Sequence, residues 1–139
     1  MRISSALFVI GLCLGVTNFA ACKWAHAQTV VGSPSLALKN GETVEIGPVY
    51  YVSHCKSLLT SIPQAEILEG PSGVSLAVKE AMVLPRLQGC GNKVSGGILS
   101  ITAQGVEESS YSKLTIRITY KTRDGERKLS QVYNLSLFQ

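Results

Sequence analysis

From Tyr111 to Phe138 apolar and polar residues alternate almost without interruption. Leu114, Ile116, Ile118 and Tyr120 are interleaved with Thr115, Arg117, Thr119 and Lys121, and after Asp124-Gly125 the same beat returns in Leu129, Gln131, Tyr133, Leu135 and Leu137. A period of two is that of a half-buried strand, so the stretch predicts an antiparallel hairpin with one apolar face. A type I′ turn centred on Asp124-Gly125, with positive φ at both residues, would set Tyr120 opposite Leu129, Ile116 opposite Tyr133 and Leu114 opposite Leu135. Gln131 is the one polar residue on the apolar side.

Shorter segments of the same kind precede it. Gln28–Leu38 reads as a weak edge strand kinked at Pro34, because proline is tolerated mainly at edges. Val44 and Ile46 alternate with Glu45, Gly47-Pro48 breaks or bulges the strand, and Val49-Tyr50-Tyr51-Val52 resumes it as a run buried on both sides. Around Cys55–Leu59 one helical turn is expected, ended by Ile62-Pro63. Gln64–Glu69 is a short strand, and Gly70-Pro71-Ser72-Gly73 a turn. Val74, Leu76, Val78, Met82 and Leu84 then mark the inward face of a strand that weakens at Glu80. Pro85–Gly97 reads as a loop and Leu99–Ala103 as a strand. About seven strands, with turn signals every 8–12 residues, predict an all-β, antiparallel sandwich.

The first 27 residues carry a different pattern. Arg2 precedes an apolar run from Ala6 to Val16, and Ala25-His26-Ala27 is a small-x-small sequence, so residues 1–27 read as a signal peptide cleaved before Gln28. The run is shorter than the ~20 apolar residues a spanning helix needs. Phe19-Ala20-Ala21-Cys22 resembles a lipobox and offers a minor alternative, a lipoprotein anchored at Cys22. Either route places the mature chain in the periplasm or outside the cell. The remaining 112 residues, 28–139, suffice for one domain with one core.

Removing the leader changes the chemistry on offer. The only Trp, one of two His and two of four Cys lie within it. The mature chain keeps 11 basic and 9 acidic residues, a net charge of +2. From Lys113 onward six basic residues face Asp124 and Glu126, so positive charge concentrates on the hairpin. In an exported domain Cys55 and Cys90 are expected to form one disulfide.

Leu99-x-Ile101-x-Ala103, the polar link, Tyr111–Tyr120 and the Asp124-Gly125 hairpin resemble the last three strands of bacterial immunoglobulin-like domains, of the cadherin, fibronectin type III and PKD kind. The likeness covers roughly the C-terminal third and implies an immunoglobulin-like sandwich. The chain departs from antibody-type domains in lacking a mature Trp and in placing Cys90 in a glycine-rich loop, so the bridge is expected to join loops. The whole chain also resembles small exported bacterial proteins, which implies a self-standing domain and supplies no site.

Catalytic signals are weak. His54 and Cys55 are adjacent, but neighbouring strand residues point to opposite faces and a disulfide removes the thiol. A soft-metal site from His54, Cys55, Met82 and Cys90 would have to forgo the bridge. Asp124 suits a turn, Glu42, Glu45, Glu66, Glu69 and Glu80 fall at outward positions, and no nucleophile elbow, phosphate loop or HExxH motif is present. Asn134-Leu135-Ser136 matches a glycosylation sequon but lies inside a strand. The chain is therefore read as non-enzymatic, with no metal and no cofactor.

Two surfaces remain. Arg117, Lys121 and Lys128 share the outer face of the hairpin with Thr119 and Ser130, and Arg123 and Arg127 lie near its tip. This patch suits an acidic protein or another anionic envelope component. It has no aromatic residue for stacking on bases, so nucleic acid is not expected. Charges of this kind also guard sheets against aggregation. The second surface is the loop around Gly89-Cys90-Gly91-Asn92-Lys93, which a disulfide would hold for insertion into a hydrolase cleft. The leading expectation is a monomeric, exported binding or assembly module; the alternative is a small periplasmic inhibitor.

Overall fold

The computed structural model describes residues 32–87 and 89–139. The leader, and residues 28–31 of the edge strand expected over Gln28–Leu38, lie outside the described residues. Nine strands are formed and, among the described residues, no helix: β1 (Ser35–Lys39), β2 (Thr43–Val49), β3 (Val52–Ser53), β4 (Lys56–Ser57), β5 (Gln64–Glu69), β6 (Val74–Val83), β7 (Val94–Ala103), β8 (Ser110–Thr122) and β9 (Gly125–Phe138). Seven of them correspond to the expected segments, and the other two form a miniature hairpin.

The strands assemble into a sheet of order β1-β9-β8-β5, a sheet of order β2-β7-β6, and the β3-β4 pair. All pairings are antiparallel except that of β1 with β9, which is parallel from Ser35 beside Asn134 to Lys39 beside Phe138. Both larger sheets feed one hydrophobic cluster. Leu38, Leu114, Ile116, Ile118, Tyr120, Tyr133, Leu135 and Leu137 come from the first, and Val49, Leu99, Ile101 and Ala103 from the second. The period-two faces of β8 and of the second half of β9 are thus satisfied by burial against the facing sheet, the arrangement that alternation demands.

Several local expectations are corrected. The β8–β9 turn is Arg123-Asp124, flanked by paired Thr122 and Gly125, and positive φ falls on Gly125 (+112°), not on Asp124. Tyr120 therefore faces Arg127, Ile116 faces Gln131 and Leu114 faces Tyr133. Moving the turn by one residue shifts each partner by two, so every side chain keeps its face. The Thr122 hydroxyl stabilises this turn, donating to the Gly125 carbonyl at 2.8 Å and accepting the Asp124 N–H at 3.3 Å.

The Pro85–Gly97 loop ends earlier than expected, because β7 begins at Val94. Gly96 and Gly97 are buried strand residues. A Cβ on Gly96 would stand 2.5 Å from the Val49 carbonyl oxygen, and one on Gly97 would stand 2.5 Å from Val78 Cγ1. Glycine is needed there to let neighbouring strands approach. β6 pairs with β7 along its whole length, but its covered side changes after Lys79: Val83 is buried and Ala81 half-buried on the face away from Val74, Leu76 and Val78, outside the main core cluster, whereas Met82 (58% exposed) and Leu84 are exposed. β2 stops at Val49 after a bulge between Glu45 and Gly47, so the Val49–Val52 run is divided between two strands.

The helical turn expected after Cys55 is instead the β3–β4 hairpin, with Val52 opposite Ser57 and Ser53 opposite Lys56. His54 and Cys55, its two loop residues, both have positive φ (+49° and +60°). That is the backbone requirement of a type I′ turn, met here without glycine.

Candidate functional site

Cys55 and Cys90 are joined in a disulfide with a Cα–Cα distance of 5.3 Å. It ties the tip of the β3–β4 hairpin to the β6–β7 loop, a connection between loops. The hairpin is also held by the Leu58 N–H on the Tyr51 carbonyl (2.9 Å) and by the Ser57 hydroxyl on the Ser95 carbonyl (3.0 Å). His54 is exposed, with Nδ1 3.0 Å from the Ser53 hydroxyl. The disulfide consumes the Cys55 thiol, so the adjacent His54 and Cys55 do not form a thiol–imidazole pair. Among the described residues no three His, Cys, Asp or Glu side chains converge. In the β6–β7 loop Gly89, Gly91, Asn92 and Lys93 are exposed around half-buried Cys90, while Gln88 lies outside the described residues.

Two carboxylates have polar partners. Glu42 Oε2 accepts the Lys39 N–H at 2.7 Å, which closes the β1–β2 turn. Glu66 Oε1 lies 2.7 Å from both Nε and Nη2 of Arg117, across the β5–β8 pair. Asn134, the sequon residue, directs its side-chain amide to the Ser33 carbonyl at 3.1 Å.

The hairpin's two faces separate as alternation requires. Arg117, Thr119 and Lys121 stand opposite Ser130, Lys128 and Glu126, all on the outer face. Arg127, opposite Tyr120, has the inward parity yet is exposed. So are Leu129 (49%) and Gln131, although the β8 residues opposite them, Ile118 and Ile116, are buried. The expected inner face is therefore core only over Tyr133–Leu137 on this strand.

These placements alter the charge of the patch. Arg117 is neutralised by Glu66, a partner 51 residues away in sequence. Among the described residues Lys121, Arg123, Arg127 and Lys128 make no ion pair. The free cations are thus at the distal end of the hairpin, with Asp124 and Glu126 between them. The hairpin is anchored on its β8 side, where the Thr60 N–H and hydroxyl both donate to the Lys121 carbonyl (2.9 and 3.2 Å).

A tyrosine-lined slit has no counterpart in the sequence pattern. Tyr50, Tyr120 and Tyr133, with Arg86, Pro48 and Gln131, line a cavity of about 200 Å³ between β2 and β9. The Tyr133 hydroxyl donates to Gln131 Oε1 at 2.6 Å, so the polar residue on the apolar face has a hydrogen-bond partner there. The Arg86 N–H donates to the Tyr50 hydroxyl at 2.8 Å, and the Tyr51 and Tyr120 rings stack at a tilt of 40° with centroids 5.6 Å apart. Burial, then repulsion from Tyr50 and Tyr133, pushes the Tyr120 phenol above its ordinary pKa, and burial alone does so for Tyr133. Nothing in periodicity marks this cluster, since its members come from four separate segments.

Among the described residues no helix is long and apolar enough to cross a membrane. Comparison with protein-family models, curated proteins and solved structures found no match. The class defined by the chain itself is an all-β protein of mainly antiparallel sheets carrying one disulfide.

Proposed function

We propose that the chain is an exported, non-catalytic binding or assembly module, with an immunoglobulin-like sandwich as scaffold and the distal β8–β9 hairpin as contact surface. The observation that carries this reading is the set of unpaired, exposed cations Lys121, Arg123, Arg127 and Lys128 on a hairpin whose base is buried in the core. A rigid scaffold presenting exposed polar groups on a tip is a common way to build a recognition surface.

Three features support the rest. The sheet orders β1-β9-β8-β5 and β2-β7-β6, with β1 parallel to β9, follow the A′GFC and BED arrangement of immunoglobulin-like Greek keys. The disulfide is a bond that persists in oxidising compartments, in keeping with the leader-like sequence before Gln28. The free charge is cationic and favours an anionic partner, a protein or another envelope component.

The test is cross-linked capture of partners from a periplasmic extract by the exported protein and by the Lys121→Gln, Arg123→Gln, Arg127→Gln, Lys128→Gln variant. The wild type should retain a reproducible partner that the variant loses. A partner retained equally by both would place the contact elsewhere.

A further inference from the structure

The two flanks of the hairpin differ in their backbone. Asn134 donates its N–H to the Pro34 carbonyl at 2.9 Å, on the β1 side. In an extended strand alternate residues direct their N–H and C=O groups to the same side. Val132, Ser130, Lys128 and Glu126 therefore direct theirs to that flank as well. β1 pairs only with Asn134–Phe138, and among the described residues no strand pairs with the flank from Gly125 to Val132. The other flank is closed by β8 along its full length. All of Gly125–Val132 is exposed, so roughly 25 Å of edge, at ~3.3 Å per residue, offers backbone donors and acceptors.

We infer that this edge accepts an acidic, extended segment of a partner protein as an added strand, an inference that rests on the binding-module reading. Backbone pairing supplies a generic ladder, and side chains select what joins it. Arg127 and Lys128 are consecutive and stand on opposite faces of β9, so an added strand meets a cation on each face. Lys121 on β8 and Arg123 at the turn extend the field. Leu129 and Val132 place one exposed apolar side chain on each face for the alternate residues of the segment. A second copy of this chain is a poor occupant, because edge-to-edge pairing would bring the same cations together. The charges that exclude self-pairing are the ones that admit an acidic strand.

The experiment uses the exported protein, disulfide intact and 15N-labelled, with capped (Val-Glu)4 and (Val-Lys)4 peptides as probes. At saturation (Val-Glu)4 should slow amide exchange at Glu126, Lys128, Ser130 and Val132 at least tenfold, and (Val-Lys)4 should bind at least tenfold more weakly. Arg127→Glu with Lys128→Glu should weaken (Val-Glu)4 at least tenfold. Ser130→Pro, which removes an edge donor and leaves the charge unchanged, should abolish the protection. If that variant does not fold, N-methylation of alternate peptide residues against the wild type replaces it, with the same loss expected. Protection at β5 or β6 instead, equal binding of both peptides, or self-association of the protein without peptide would each overturn the inference. Failure of (Val-Glu)4 while a partner is still captured in a hairpin-dependent way overturns the added strand and leaves the module. Failure of both removes both.

Discussion

Gly96→Ala is expected to destabilise the protein by about 2–3 kcal/mol, although alanine is ordinarily better than glycine in a strand by about 0.5–1 kcal/mol. The new methyl would stand 2.5 Å from the Val49 carbonyl oxygen, 2.9 Å from Val83 Cγ2 and 3.3 Å from Tyr50 Cβ. The first separation is about 1 Å inside comfortable contact. It belongs to the backbone of β2, so relief requires β2 to move relative to β7. Overpacking of this kind costs about 1–3 kcal/mol, and each ladder hydrogen bond lost adds about 1 kcal/mol. Gly97→Ala should cost less, about 1–2 kcal/mol, since its nearest neighbour is the Val78 side chain, with the Lys79 carbonyl 3.0 Å away. Gly91, where an added methyl would meet nothing within 4 Å, is the control: Gly91→Ala should be neutral or stabilise by up to about 1 kcal/mol. Urea unfolding with the disulfide intact reads all three. With a slope of roughly 1–1.5 kcal/mol/M for a domain of this size, Gly96→Ala should lower the midpoint by about 2 M. A midpoint within about 0.5 M of wild type, or a loss in Gly91→Ala equal to that in Gly96→Ala, would refute the close-approach argument.

Reduction of Cys55–Cys90, or the double serine variant, should remove about 3–4 kcal/mol, the loop-closure value for a separation of 35 residues. Unfolding with and without dithiothreitol checks it, and unchanged stability would contradict a staple role. The Glu66–Arg117 pair is one-third to one-half exposed (Arg117 34%, Glu66 53%), so solvent screening holds its coupling below about 1 kcal/mol in a double-mutant cycle. Tyr120 and Tyr133 have raised pKa values in the folded state, so the unfolded chain ionises first as pH rises. Their contribution is intact below pH ~10, the unfolded tyrosine value, and is lost above it as pH climbs toward the folded pKa. Tyr120→Phe and Tyr133→Phe should flatten the alkaline decline in urea midpoint, and an unaltered slope in both would remove these phenols as its cause.

What could be read in the sequence was whatever repeats along one strand. The alternation from Leu114 to Tyr120 located β8 and its buried face, and the turn residues separated the seven longer strands. What escaped depends on pairs of segments. Gly96-Gly97 looks like a loop until the Val49 carbonyl and Val78 are placed against it. Met82 and Leu84 keep the parity of Val78, but burial follows the cover available, and the buried side of β6 changes after Lys79. His54-Cys55 carries no turn signal, because glycine and asparagine are the usual markers of positive φ and neither is present. For the candidate surface, the alternation puts Lys121 and Lys128 on one face, where the pairing of β8 with β9 also has them. The pairing of Arg117 with Glu66 was not legible, nor was the flank of β9 that no strand pairs with among the described residues, because both are set by which strand lies beside which.

The parallel pairing of β1 with β9 has a mechanical consequence. The chain enters this pair at Ser35 beside Asn134 and leaves it at Phe138 beside Lys39, so the attachment points before β1 and after β9 lie at opposite ends of the ladder. Tension between them slides one strand along the other and loads the hydrogen bonds together, from Asn134 on Pro34 to Asn40 on Phe138. An antiparallel terminal pair would be peeled one bond at a time. A chain held at its two ends would therefore resist pulling in its strongest direction, with the load carried by β1 and the Asn134–Phe138 half of β9.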